Sequence, residues 1–242
     1  MSHIFSKCEK LSDLKIKEFN TRNVIDMSNM FENDISLKTI DLSNFKTENV
    51  IDFSNMFYSC ELLENVDLDS FNTKSAKNME QMFYGCKSLK SLKKNFDVKN
   101  VTNMFSMFYG CSSLTELDLS EFQTSSLLNA DYLFYGCQNL TKINLQQFDT
   151  SKLASMEFMF YKCFNLTSLD LSSFQTERVT SMKFMFNSCL SLKKLDLSNF
   201  NTKNCNSFIS MFTGVKECNI KILNKDNNQL FLDNFKDKLI LE

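Results

Sequence analysis

Two hydrophobic periods alternate along the chain. In the segment LTSLDLSSF (166–174), Leu169 and Leu171 stand two apart, so both face one side of a short strand and Asp170 faces the other. In TERVTSMKFMF (176–186), Val179, Met182 and the Met185–Phe186 pair stand three to four apart, which predicts one face of a short helix. Thr176 precedes that run and suits an N-cap, a hydroxyl that bonds an otherwise unpaired backbone N–H.

The alternation is itself periodic. Taking the phenylalanine of each MF pair as an anchor gives Phe31, Phe57, Phe83, Phe108, Phe134, Phe160, Phe186 and Phe212, with Phe5 in the same register ahead of them. The spacing is 26 residues throughout, except for 25 between Phe83 and Phe108. Regularity over this length is the mark of a repeat architecture. One unit, from Cys163, reads C-x-x-L-x-x-L-D-L-S-x-F-x-T-x-x-V-x-x-M-x-x-M-F. Thr21, Thr47, Thr73, Thr124, Thr150 and Thr202 hold the place of Thr176, and Val98 replaces it once, where the cap should be weaker.

The strand segment matches the L-x-x-L-x-L signature of leucine-rich repeats, as in Leu37, Ile40 and Leu42, with Phe45 where Asn or Cys is usual. The expected fold class is therefore α/β: a leucine-rich-repeat solenoid of about eight 26-residue units, with parallel strands on a concave face and short helices on a convex one. The solenoid is assigned to residues 1–222 and a C-terminal capping segment, amphipathic in LFLDNFKDKLILE, to 223–242. The stretches IDLSNFKTENVIDFSNMFYSC (40–60) and LDLSSFQTERVTSMKFMFNSC (169–189) resemble the BspA-type leucine-rich repeat family, built of surface proteins of bacteria and protozoa. The resemblance covers about residues 4–215 and implies an adhesin or surface antigen. Such proteins usually carry a secretion signal, and MSHIFSKCEKLSDLK has no basic stretch followed by an apolar one. As written, the chain is expected inside the cell, or at the surface if it is part of a longer secreted protein.

Two irregularities stand out. The chain is expected to enter at the strand half of a unit, through Phe5, Cys8, Leu11, Leu14 and Ile16, with no preceding helical half. An open solenoid end exposes apolar surface and favours end-to-end association. In the fourth unit one residue is missing before Phe96, and LKSLKKNF lacks the second strand leucine, which predicts a local strand defect.

Composition narrows the chemistry. With 27 basic and 29 acidic residues, the net charge of −2 gives no global attraction to nucleic acid or anionic membrane. No apolar run approaches the roughly 18 residues that span a bilayer, so no membrane insertion is expected. His3 is the only histidine, which leaves Ser–His and Cys–His catalysis without support. No two cysteines are close enough for a C-x-x-C zinc site, and four scattered glycines cannot build a phosphate cradle. No enzyme, cofactor or metal is expected.

Seven of the nine cysteines fall in one column: Cys8, Cys60, Cys86, Cys111, Cys137, Cys163 and Cys189. Stacked units would bring their Cα atoms to about 5 Å, within disulfide range, but parallel Cβ directions suit the required torsion poorly. A ladder of small, buried, free thiols is the expected state. The candidate binding residues lie on the outward strand positions: Asp41, Asp67, Lys93, Asp118, Asn144, Asp170 and Asp196. Aspartates in neighbouring turns, about 5 Å apart, repel by roughly 1 kcal/mol at water-like dielectric. Such a repeated cost suggests recognition of a partner, while a solvated face softened by Ser43, Ser120, Ser172 and Ser198 is the plainer alternative. Two functions follow: a non-enzymatic module presenting this face to a protein or glycan, or an intracellular structural component of a larger assembly.

Overall fold

The computed structural model describes every residue except 13, 15, 17, 93–95, 217, 224, 225, 236, 238 and 242. Lys93 and the strand defect expected around it lie outside the described residues.

The strand half of each unit forms as its alternation dictates. The strands are β1 (Thr39–Asp41), β2 (Asn65–Asp67), β3 (Glu116–Asp118), β4 (Lys142–Asn144), β5 (Ser168–Leu169), β6 (Lys194–Asp196) and β7 (Asn219–Ile222). Each buries its second residue, such as Ile40, Val66, Leu117 and Leu195, and exposes its first. Pairing is parallel and in register from unit to unit: Ile40 opposite Val66, Leu117 opposite Ile143, Leu195 opposite Ile220. The chain is thus a leucine-rich-repeat solenoid.

The other half differs from expectation. Among the described residues no helix forms within the repeats; the run expected to be helical is a series of turns. The N–H groups of alternate residues point along the stack: Tyr132, Phe134 and Gly136 donate to the carbonyls of Glu157, Met159 and Tyr161 at 2.9, 2.9 and 2.7 Å. Two residues in this half take positive φ, Tyr132 at 60° and Gly136 at 69° in that unit, and Asn29 and Asn33 at 56° and 61° in an earlier one. An α-helix bonds its N–H groups within itself and is about 10 Å across. Here the anchor phenylalanines, Phe5 through Phe212, stack with ring centroids 5.5–5.9 Å apart, which leaves no room for a helix in each unit. Met, Val and Phe at helical spacing are buried all the same, because a tight turn sequence brings the same positions inward.

The threonine column also works differently from an N-cap. Thr150 Oγ1 donates to the Gln175 carbonyl at 2.8 Å and accepts the Gln175 N–H at 2.8 Å, so one buried hydroxyl clasps the next unit's backbone. Thr21, Thr47 and Thr176 repeat both bonds. The cysteine column adds another link. Sγ of Cys60, Cys86, Cys111, Cys137, Cys163 and Cys189 donates to the anchor-phenylalanine carbonyl of the unit before, at 3.0–3.2 Å.

Both terminal segments pack on the stack. Residues 1–8 already form a turn half: the Met1 amino group and the N–H groups of His3, Phe5 and Lys7 donate to the carbonyls of Asp26, Ser28, Met30 and Glu32. The expected entry at the strand half is therefore corrected, since in-register donors place residues 1–8 one step earlier in the unit. At the other end come a 3₁₀ turn (Asp226–Asn228), α1 (Gln229–Phe235) and β8 (Leu239–Leu241), which pairs with β7. Phe231 and Phe235 meet Phe208 and Phe212 edge-on at 4.9–6.1 Å, where a further unit would stack. Buried Asn228 accepts the Thr202 hydroxyl and N–H, doing for the last threonine what a following unit does for the others.

Candidate functional site

The strands place two exposed columns side by side. Their first positions are Thr39, Asn65, Glu116, Lys142, Ser168, Lys194 and Asn219, and their third positions include Asp41, Asp67, Asp118, Asn144 and Asp196. Asp170 follows β5 in the same column. Register brings Asp41 opposite Asp67 and Asp118 opposite Asn144, so these candidate residues share a face with their neighbours in the next unit. A recess of about 270 Å³ opens there, lined by Leu92, Glu116, Leu117, Asp118, Lys142 and Asn144.

The acidic column has a local structural cause that explains its recurrence. Oδ1 of Asp41, Asp67, Asp118, Asn144, Asp170 and Asp196 accepts the N–H two residues on, at 2.9–3.2 Å. This Asx turn leads the chain off the strand and occupies one carboxylate oxygen per residue. For Asp170, the N–H of Ser172, and then its hydroxyl, holds the carboxyl below the usual range. The repulsion between neighbouring aspartates is offset by these donors, which removes part of the need for a bound cation. Among the described residues, no group of three His, Cys, Asp or Glu side chains is placed to hold a metal ion.

Cys60, Cys86, Cys111, Cys137, Cys163 and Cys189 are fully buried, whereas Cys8 is exposed at the first unit, and all nine cysteines are free. Burial pushes the Cys137 and Cys189 thiols up to about 12. Such thiols are poor nucleophiles and poor metal ligands. They serve the stack.

Sequence reasoning missed a second surface. Tyr58, Tyr84, Tyr109, Tyr135 and Tyr161 stack along the turn half with centroids 4.2–4.6 Å apart, half-buried. Tyr132, Phe158 and Phe184 form a parallel row at 4.6 Å beside them. Because the ring faces cover one another, this surface offers ring edges and hydroxyls rather than faces. Its signal was the fixed tyrosine of MFYGC, overshadowed by the cysteine two residues on.

The comparisons agree with this architecture. The family described as "Mycoplasma protein of unknown function, DUF285" matches residues 1–116, 64–144 and 107–225. The chain belongs to that family. A leucine-rich repeat protein from Bacteroides ovatus aligns over the whole chain, with a TM-score of 0.54 and 21% identity, and supports the fold alone. The DUF285 chain spans 62% of that protein's length. A TLR13–ssRNA13 complex aligns over 89% of the chain and 41% of its own, at 16% identity and a TM-score of 0.32, too low a likeness to argue from. No curated protein matches.

Proposed function

We propose that this DUF285 chain is a non-enzymatic binding module of the BspA type, adhesin-like, which presents its strand face to a protein or glycan. The observation that carries the reading is the pairing of two exposed columns, one acidic and nearly constant, the other changing with each unit from Thr39 through Glu116 and Lys142 to Asn219. The constant column, Asp41, Asp67, Asp118, Asn144, Asp170 and Asp196, presents carboxylate or amide groups, and the changing column supplies selectivity. In this reading residues 223–242 cap the stack.

The free thiol column favours one other reading, an intracellular structural component, because a ladder of reduced cysteines suits a reducing compartment. Surface labelling of intact cells separates the two: labelled chain supports the adhesin, and recovery only from the cytosol leaves the structural reading. For the face itself, the informative change is Asp118→Asn with Asp170→Asn. Asparagine keeps the Asx-turn acceptor, as Asn144 does, while removing the charge. Binding to an array of immobilised proteins and glycans is expected to weaken severalfold with melting unchanged. Equal binding by the variant would remove the strand face as the contact surface.

A further inference from the structure

In the cysteine column one unit carries Asp34 instead. It is fully buried at the junction of the first two units. Its Oδ1 accepts the Cys8 N–H at 2.8 Å, and its Oδ2, also buried, has no hydrogen-bond partner among the described residues. Where the column carries cysteine, the side chain instead donates to the preceding anchor carbonyl, as Cys60 does to Phe31. A neutral thiol sits in that place without penalty; a carboxylate with one bare oxygen does not.

We propose that Asp34 is a pH-sensitive clasp: uncharged, it holds the turn half of residues 1–8 on the second unit, and ionised, it loosens that half. Among the described residues, the groups facing it are few. Cys8 lies on the first unit and the buried Cys60 on the third, where burial first, and the Asp34 charge second, push that thiol up. Two residues away, Glu32 accepts the Ser6 hydroxyl at 3.0 Å and faces His3 Nδ1 at 3.6 Å. Burial pushes the Asp34 carboxyl from 3.8 up to about 6, partly opposed by the Cys8 N–H. The closed state therefore binds the proton more tightly than the open one. Its stability is full below about pH 4, falls as pH rises toward 6, and is flat above. Opening restores water to the carboxylate and uncovers Phe31, on which Phe5 stacks at 5.6 Å. The device sets how firmly residues 1–8 pack on the second unit, and it stands whether or not the strand face is the binding surface.

Hydrogen exchange by mass spectrometry on the full chain at pH 5 and pH 7.5, corrected for intrinsic rates, tests this. With a carboxyl at about 6 closed and 3.8 open, residues 3–8 should lose protection by about tenfold at most between the two conditions. Asp34→Cys, which restores the column, and Asp34→Asn should both flatten that change. Peptides around Phe134 report in every variant that the fold is intact. His3 lies at the same junction, with Nδ1 3.6 Å from Glu32. Its removal, His3→Gln, should leave the change in place. A flat wild-type profile, a change that persists in both Asp34 variants, or one abolished by His3→Gln overturns the proposal.

Discussion

The threonine clasp makes a two-sided prediction, because the chain contains its own exception. Replacing Thr150 with valine keeps the shape and removes a hydroxyl that makes two bonds of 2.8 Å to Gln175. The fourth unit already lives without that hydroxyl. Beyond Val98, the Gln123 N–H turns to the Glu121 carbonyl at 2.9 Å. By the same route the Gln175 N–H would turn to the residue two before it, a local bond that opens more readily than the clasp, and its carbonyl would be left unpaired. An unsatisfied buried carbonyl costs roughly 1–3 kcal/mol, and the exposed Gln175 side chain lets water near, so Thr150→Val should cost about 1–2 kcal/mol. The reverse change, Val98→Thr, should gain about 0.5–1.5 kcal/mol by completing the column. Urea unfolding gives the sign of each. Hydrogen exchange gives the location, which also separates the clasp from a helix cap. A clasp deprotects the next unit, at Gln175. A cap would deprotect Leu153, whose N–H bonds the Thr150 backbone carbonyl at 2.9 Å. If Val98→Thr destabilises the chain, or if protection falls at Leu153 while Gln175 is unchanged, the column does not join the units.

Other outcomes rest on the same stack. Burial raises the Cys137 and Cys189 thiols from 9.0 to about 12, so the folded chain holds those protons longer than the unfolded one, and stability should fall as pH climbs past 9. Melting temperature should drop more steeply above pH 9 in wild type than in Cys137→Ala, and equal slopes would refute the buried thiol ladder. Gly110 and Gly214 both lie at positive φ, at 69° and 85°. An added Cβ at Gly110 meets the Gly85 Cα at 3.8 Å, whereas at Gly214 it comes within 3.2 Å of the Ser188 backbone. Gly110→Ala should cost about 1 kcal/mol by strain alone, and Gly214→Ala measurably more in the same urea titration.

How far the sequence carried depended on which interactions leave a periodic trace. Phe31 to Phe212 stack because a side chain recurs every 26 residues, with one spacing of 25, and that recurrence is legible in the sequence itself. The alternation of Leu169 and Leu171 around Asp170 likewise marked the strand and its faces. The helix expected over 176–186 failed for a physical reason. Val179, Met182 and Met185 show which side chains go inward, but not where the backbone donors go, and in a stack of thin units they go to the next unit. Gly85, Gly110, Gly136 and Gly214 stand just past the run, where a glycine at positive φ equally suits the end of a helix. The positive φ that breaks a helix lies inside the run, at Phe184 and at Tyr132 and Phe158 in earlier units, and large aromatic residues there give no sign of it in the sequence.

The candidate site was legible as a place but not as chemistry. Asp41 through Asp196 were found on one face because strands alternate; that each accepts its own N–H two residues on could not be read without the turn beyond the strand. This changes what their recurrence means. A residue repeated in nearly every unit to close a turn says little about a partner, since the fold alone accounts for it. Where the fold is satisfied by any residue, as at Thr39, Asn65, Glu116, Lys142, Ser168, Lys194 and Asn219, the identity at each level is free to answer to something outside the chain. The two parts of the face therefore separate. On the proposed binding reading, the mostly acidic column is the background, and selectivity is assigned to the column beside it, at Glu116 and Lys142 by the recess.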